Sequence, residues 1–221
     1  MKSDGTKKLA PKRPVTDIPG VSLLPGYFDA AAQRTLLADI REVLAVAPYF
    51  RPAMPRTGKP FAVAMSNCGA LGWVSDKAGG YRYQATHPET GRPWPKMPQA
   101  LATLWHAVSG YPGRAEACLI NFYDTARNGA AKMGSHVDRD EADFTAPVVS
   151  VSLGDDAVFH VGGLSRTDPK SRVTLRSGDV LLFGGPARLC HHGIDRVLPG
   201  TSMLLPEGGR INLTMRRVTK F

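Results

Sequence analysis

Five ionisable side chains crowd into GSHVDRDE, residues 134 to 141, in a stretch whose neighbours are largely apolar. His136 and Asp138 stand two apart, and on an extended backbone such residues project to the same side. The pair can therefore offer an imidazole nitrogen and a carboxylate oxygen to one transition-metal ion. A solvated turn is the competing reading, because H-x-D triplets arise often by chance. A second imidazole is available in HHG at 191 to 193. Adjacent histidines on a strand point opposite ways, so only one of His191 and His192 can join a shared site.

Strand parity brings further groups to that site. In RINLTMR, Arg210, Asn212, Thr214 and Arg216 fall on one face and Ile211, Leu213 and Met215 on the other. Taken alone, this is the pattern of an edge strand with a wet face. Upstream, Leu119, Asn121 and Tyr123 of ACLINFYD also share a face, so an amide and a phenol can enter the same cavity as the arginines. Two histidines and one carboxylate on three corners of an octahedron leave the opposite face open for a co-substrate and dioxygen, as non-haem Fe(II) oxygenases require. An arginine beyond the second histidine then has a use: its planar fork pairs bidentately with the distal carboxylate of a chelating 2-oxo acid.

These residues need a scaffold, and the chain signals one. Asp29 can cap a helix in which Leu36, Leu37, Ile40, Val43 and Leu44 recur at helical spacing, ending before Pro48. A second helix follows MPQ, with Leu101, Leu104, Trp105 and Val108 on one face and a stop at GYPG. Between them lies a Pro/Gly-rich stretch of short strands and loops carrying Trp73, Tyr81 and Tyr83. From residue 117 the pattern changes to short β runs, ACLINFYD, PVVSVSLG, AVFHVGG, RVTLRSGDVLLFGG and RINLTMRRV, with SGD at 177 to 179 as a hairpin turn. Strands at this spacing predict an antiparallel sandwich or barrel, most economically a jelly-roll with helices packed outside. The expected organisation is a flexible basic tail over 1–15, N-terminal helices and lid over 16–110, and a catalytic core over 111–221, working as one unit.

Composition bounds the setting. The 221 residues suffice for a substantial core without staples. Three cysteines, Cys68, Cys118 and Cys190, lie far apart with no C-x-x-C pair, which excludes a disulfide framework or a cysteine zinc site and fits a reducing compartment. The sequence shows no apolar leader and no run long enough to span a bilayer, so a soluble cytoplasmic protein with no membrane partner is expected. With 28 Lys+Arg against 19 Asp+Glu, a net charge of +9, an anionic partner such as nucleic acid is favoured.

The order N-x-Y, H-x-D, H-G, R-x-N-x-T-x-R resembles the AlkB family of Fe(II)/2-oxoglutarate-dependent alkylation-repair dioxygenases. The resemblance runs from about Phe61 to Arg216, through FAVAMSNCGALGW, PWPKMPQ, LINFY, HVDRDE, APVVSVSLG, FHVGGLSRTDPKSR, GDVLLFGG, HHG and RINLTMR. It implies a mainly β fold with flanking α: a double-stranded β-helix (jelly-roll) core with an N-terminal α/β nucleotide-recognition lid. It implies that His136, Asp138 and His192 hold Fe(II), with His191 facing away. Arg210 and Arg216 would pair with the two carboxylates of 2-oxoglutarate, while Asn121, Tyr123 and Asn212 add hydrogen bonds around it. Trp73 would stack on the damaged base, with Tyr81, Tyr83 and Arg166 on the substrate or its backbone. Asp140 would read the exocyclic amine of that base, and Met65 would line the same pocket. The chemistry implied is oxidative demethylation of bases such as 1-methyladenine and 3-methylcytosine, consuming O2 and 2-oxoglutarate and releasing succinate, CO2 and formaldehyde. Its methylated atoms lie on the pairing edge, so the partner would be single-stranded DNA, or duplex DNA or RNA with a flipped base, bound by a monomer.

Two departures from the family pattern stand out. The loop DTARNGAAKMGS between Tyr123 and His136 is a few residues longer, and Phe183 stands where a tryptophan is familiar. Neither removes a ligand. In an extended segment Arg139 and Glu141 would point away from the metal and form a solvated turn. Two other functions fit parts of the pattern: a dioxygenase acting on a protein or small molecule, and a non-catalytic nucleic-acid-binding module in which the acids near His136 are merely a solvated turn. Trp105 reads as core, His160 as a structural histidine, and His87 and His106 show no partner in the sequence. The cysteines read as idle thiols.

Overall fold

A computed structural model of the protein describes residues 17–125 and 132–221. The basic tail and part of the long loop after Tyr123 lie outside the described residues. In chain order the elements are β1 (Val21–Leu24), α1 (Ala30–Val46), β2 (Ala64–Gly69), β3 (Gly72–Asp76), β4 (Gly80–Gln84), α2 (Gln99–Val108), β5 (Ala117–Tyr123), β6 (Met133–His136), β7 (Val148–Gly154), β8 (Asp156–Val161), β9 (Ser171–Leu175), β10 (Val180–Phe183), β11 (His192–Leu198) and β12 (Arg210–Arg216).

Asp29 caps α1 as its sequence predicts: extended at φ −70°, ψ 174°, it accepts the Ala32 N–H on Oδ1 at 2.8 Å. Leu36, Leu37, Ile40 and Val43 form the buried stripe of α1, and Leu101, Leu104 and Trp105 that of α2. Both stripes pack on one face of an antiparallel sheet of order β1-β10-β7-β12-β5-β2. The other face of that sheet meets a second sheet, β6-β11-β8-β9. Helices, major sheet and minor sheet thus form three layers, the two sheets together making the double-stranded β-helix with a cavity between them.

This layering explains the parity of β12. Ile211, Leu213 and Met215 join the apolar layer beneath the helices, while Arg210, Asn212, Thr214 and Arg216 face the space between the sheets. β12 is therefore no edge strand. It lies between β7 and β5, all seven of its residues are buried, and its polar face lines an interior cavity. SGD at 177–179 also differs from expectation. It is a tight turn, with Gly178 at φ +86° and Asp179 Oδ2 accepting the Arg176 N–H, but β9 pairs with β8 while β10 pairs with β7 and β1. The turn carries the chain between sheets instead of closing a hairpin.

The N-terminal part is not spatially separate, because β1 and β2 are the two outer strands of the major sheet. What projects from it is the β3–β4 hairpin, which pairs Trp73 with Tyr83 and Ser75 with Tyr81. His87, which lacked a partner in the sequence, is buried behind this hairpin. Its Nε2 meets the Pro48 carbonyl at 2.9 Å and its Nδ1 accepts the N–H groups of Glu89 and Thr90.

Candidate metal and co-substrate site

The register of the minor sheet brings the candidate metal ligands together. β6 and β11 pair with His136 opposite His192, and Asp138 follows two residues beyond the end of β6. One donor atom from each of His136, Asp138 and His192 lies within 4.8 Å of the other two. His136 Nδ1 is 2.9 Å from the Gly134 carbonyl and His192 Nδ1 is 3.0 Å from the Cys190 carbonyl, so each ring donates from Nδ1 to the residue two before it. That fixes the tautomer and leaves both Nε2 lone pairs turned inward, 3.6 and 3.8 Å from the Asp138 carboxylate oxygens. Burial, reinforced by the neighbouring His136, pulls His192 down to about 4, so its imidazole is neutral and free to ligate at pH 7. For Asp138, burial alone would raise the carboxyl; Arg216 and the two imidazoles outweigh it and hold the group well below the usual carboxylate range. Phe183, whose ring centre is 4.6 Å from that of His192, supplies an apolar wall there. Two imidazoles and one carboxylate converging on one point suit Fe(II).

Gly193 is required by the same register. A Cβ there would lie 2.5 Å from the Met133 carbonyl oxygen and 2.9 Å from His160 Cε1. Gly193→Ala must therefore push β6 away from β11. We expect a loss of about 1–3 kcal/mol in stability, as in overpacked cores, together with weakened metal binding. Thermal melting and a metal titration measure both.

The arginines occupy the cavity between the sheets, a space of about 510 Å³ lined by both. Arg210 is fully buried. Its Nη2 donates to Ser152 Oγ at 2.9 Å, while Nε and Nη1 have no hydrogen-bond partner among the described residues. Its guanidinium stands 5.4 Å from the centre of the Tyr123 ring, and burial lowers its pKa. A buried cation with two free donors is costly unless an anion completes it. The distal carboxylate of 2-oxoglutarate fits that requirement. Nearby, Asn212 donates from Nδ2 to Ser150 Oγ and accepts from Thr214 on Oδ1, and the buried Asn121 Oδ1 is likewise without a partner. Arg216 sits at the metal end, donating to Asp138 Oδ2 from Nε at 3.0 Å and Nη2 at 2.7 Å.

The 2OG-Fe(II) oxygenase superfamily model matches residues 20–216. The alpha-ketoglutarate-dependent dioxygenase AlkB homolog of Caulobacter vibrioides is 52% identical over 207 residues, covering 93% of this chain and 90% of that one. The chain belongs to the AlkB family. AlkB of Escherichia coli K12 is 43% identical over 197 residues, 87% of each chain. Among solved structures, OsALKBH1 superposes with a TM-score of 0.72 at 29% identity, over 90% of this chain and 99% of that one. The protein is thus an Fe(II)/2-oxoglutarate-dependent dioxygenase, with O2 as the second co-substrate.

At the mouth of this AlkB-family site, the hairpin meets the segment that carries His136 and Asp138. Trp73 donates from its indole N–H to Asp140 Oδ2 at 2.8 Å, and its ring stacks on Tyr81, 5.6 Å between centres at 21°. Asn67, buried in β2, holds both the N–H and the carbonyl of Trp73. Met65 is buried in the core opposite Asn121 and is not among the cavity-lining side chains. Arg166 is exposed on the loop after β8, whose base is tied to His191 by Gly162 and Gly163. Tyr83 does not project with Tyr81; its hydroxyl donates to Glu141 and receives Arg216 Nη1 at 3.4 Å.

Glu141 corrects the sequence reading. Expected in a solvated turn, it has a side chain only 1% exposed, within 3.1 Å of Arg188 Nη2 and 3.5 Å of Arg216 Nε. Arg188, which the sequence did not single out, also donates to the carbonyls of Asp138 and Ala146. The strand ends at His136 and the chain bends at Glu141 and Ala142, so strand parity does not apply there. His160 is a structural histidine held by Asp195, and the three cysteines are free thiols.

Proposed function

We propose that the protein repairs nucleic acid by oxidative demethylation of N-methylated bases, of which 1-methyladenine and 3-methylcytosine are the type lesions. The observation that carries this reading is the Trp73–Asp140 hydrogen bond, which anchors an aromatic platform to the same segment that bears His136 and Asp138. Trp73 and Tyr81 offer faces on which a base can stack, and stacking tolerates any base. Asp140 keeps an oxygen beyond the one held by Trp73 and can accept an exocyclic amine. Tyr81 and Arg166, both exposed, suit the strand on either side.

When bound, iron, dioxygen and 2-oxoglutarate supply the oxidation that hydroxylates the methyl group, after which the product loses formaldehyde. His136, Asp138 and His192 would hold the metal. Arg210, completed by Tyr123, Ser152 and the Asn121 amide, would seat the distal carboxylate, and Arg216 with Asn212 would orient the nearer one. Phe159 and Phe183 form an apolar wall beside His192. The lid within residues 16–110 would place the methyl beside the metal, over the core of residues 111–221. The net charge of +9 supports attraction of a polyanion, DNA single-stranded or with a flipped base, or RNA. No helix among the described residues is long and apolar enough to cross a membrane. We place the protein in the cytoplasm as a monomer.

The test is incubation with matched DNA and RNA oligonucleotides carrying one methylated base, with iron, ascorbate and 2-oxoglutarate. A mass loss of one methyl is expected. Succinate accumulating without repair, or turnover stimulated by a free metabolite or protein instead, would overturn the substrate assignment. Trp73→Ala should raise the KM for the oligonucleotide about tenfold, within the 1–3 kcal/mol of one base–aromatic stack, and leave uncoupled 2-oxoglutarate turnover unchanged.

A further inference from the structure

Glu141 and Arg188 form a buried pair that none of the roles above uses. The Glu141 carboxylate meets three groups from three parts of the chain: the Arg188 fork at 3.1 Å, the Arg216 Nε at 3.5 Å and the Tyr83 hydroxyl. Arg188 fixes the backbone around it, with Nη1 2.7 Å from the Asp138 carbonyl and Nε 3.0 Å from the Ala146 carbonyl. Its guanidinium also lies 5.3 Å from the Phe144 ring centre, so the whole 138–146 segment is pinned to one residue following β10. A buried glutamate without structural need is rare, and here its charge is held close to an arginine that also serves Asp138.

We propose that Glu141, seated by Arg188, is a positioning residue that divides Arg216 between Asp138 and the co-substrate. The proposal rests on the assignment of Arg216 to a carboxylate of 2-oxoglutarate given above. Asp138 Oδ2 takes both Nε and Nη2 of Arg216, and an arginine drawn fully onto one carboxylate is withdrawn from any other. Glu141 comes within 3.5 Å of the same Nε and competes for it, drawing the fork partly back. Arg188 offsets the extra negative charge, so the cluster carries two acids against two arginines and remains affordable in the interior. With Glu141 neutralised, Arg216 settles on Asp138, and both become less available, one to the co-substrate and the other to the metal. Tyr83 extends the unit to the hairpin that carries Trp73, since its hydroxyl bridges Glu141 and Arg216 from β4.

The decisive variants are Glu141→Gln, which keeps shape and removes charge, and Tyr83→Phe, which removes one hydroxyl and no charge. The dissociation constant of 2-oxoglutarate is read anaerobically by calorimetry on the Mn(II)-loaded protein, beside the metal affinity, the melting temperature and oligonucleotide binding. For Glu141→Gln, 2-oxoglutarate binding is expected to weaken about tenfold or more, the scale of outer-shell changes at metal sites, with oligonucleotide binding unchanged. Tyr83→Phe should move the same constant in the same direction by a smaller factor. An affinity that is unchanged or raised, as simple removal of a nearby negative charge would give, overturns the proposal. So does an equal loss of every binding activity together with the melting temperature in Glu141→Gln while Tyr83→Phe is silent. If Glu141→Gln fails to fold, Tyr83→Phe decides alone. Arg216→Lys separates the two levels: should it leave 2-oxoglutarate affinity intact, the assignment of Arg216 fails, whereas a loss there with no effect of Glu141→Gln sinks only the role of Glu141.

Discussion

Asp138→Asn is expected to leave the purified protein without stoichiometric iron and to lower turnover by about a thousandfold or more. A Lewis-acidic metal contributes several kcal/mol to its reaction, and each 1.36 kcal/mol is tenfold in rate. The substitution preserves shape but removes the only charged ligand of the set, whose oxygens lie 3.6 and 3.8 Å from the two imidazole Nε2 atoms. It also strips Arg216 of its main partner. Both side chains are only 8% exposed, and breaking a buried pair from one side costs about 3–5 kcal/mol. Here the lower end applies, because Glu141 remains beside Arg216. The variant should therefore melt earlier than wild type and also fail to regain temperature on adding metal. His191→Ala is the control. His191 is absent from the cavity wall, so iron content should stay at the wild-type level. Metal analysis of the two variants side by side checks the assignment; full iron in Asp138→Asn would refute it.

The strands and the H-x-D pair were legible in the sequence through short-range periodicity, whereas the choice of His192 over His191 came from the family resemblance and not from any spacing. β12 could be read residue by residue because its two faces meet different surroundings, helices on one side and the cavity on the other. Its place in the centre of the sheet could not, because alternation is the same for an edge strand as for an inner strand with a polar cavity beneath it. SGD likewise announces a turn through its glycine and aspartate, yet nothing local tells which sheet receives the next strand. Glu141 was misread because its burial is decided by Arg188 and Tyr83, 47 and 58 positions away. Parity carried Asp138 and failed three residues later, where the chain bends. One local signal for Arg188 exists, an arginine among small and apolar residues in GGPARLC, but it names no partner.

Arg210→Met is expected to have effects of opposite sign on binding and on stability. The metal-loaded wild type should gain melting temperature on adding 2-oxoglutarate, since a ligand at a hundred times its Kd stabilises by about 2.7 kcal/mol. The variant should lose that gain. Truncating one partner of a buried, hydrogen-bonded charge pair costs about 2–5 kcal/mol, which raises the KM for 2-oxoglutarate by at least about thirtyfold. Without the co-substrate the balance reverses. Arg210 then keeps one hydrogen bond to Ser152, worth about 1 kcal/mol, and its contact with the Tyr123 ring, worth about 0.5–2 kcal/mol. Against these stands a fully buried guanidinium with two donors unmet among the described residues, and buried ionic groups replaced by apolar ones of similar size often leave stability unchanged or raised by about 1–4 kcal/mol. The ligand-free variant should thus melt no earlier than wild type. Melting curves with and without 2-oxoglutarate measure both effects on one sample. A retained ligand-dependent rise would show that the carboxylate binds elsewhere, and a ligand-free melting point well below wild type would show that Arg210 is satisfied without it.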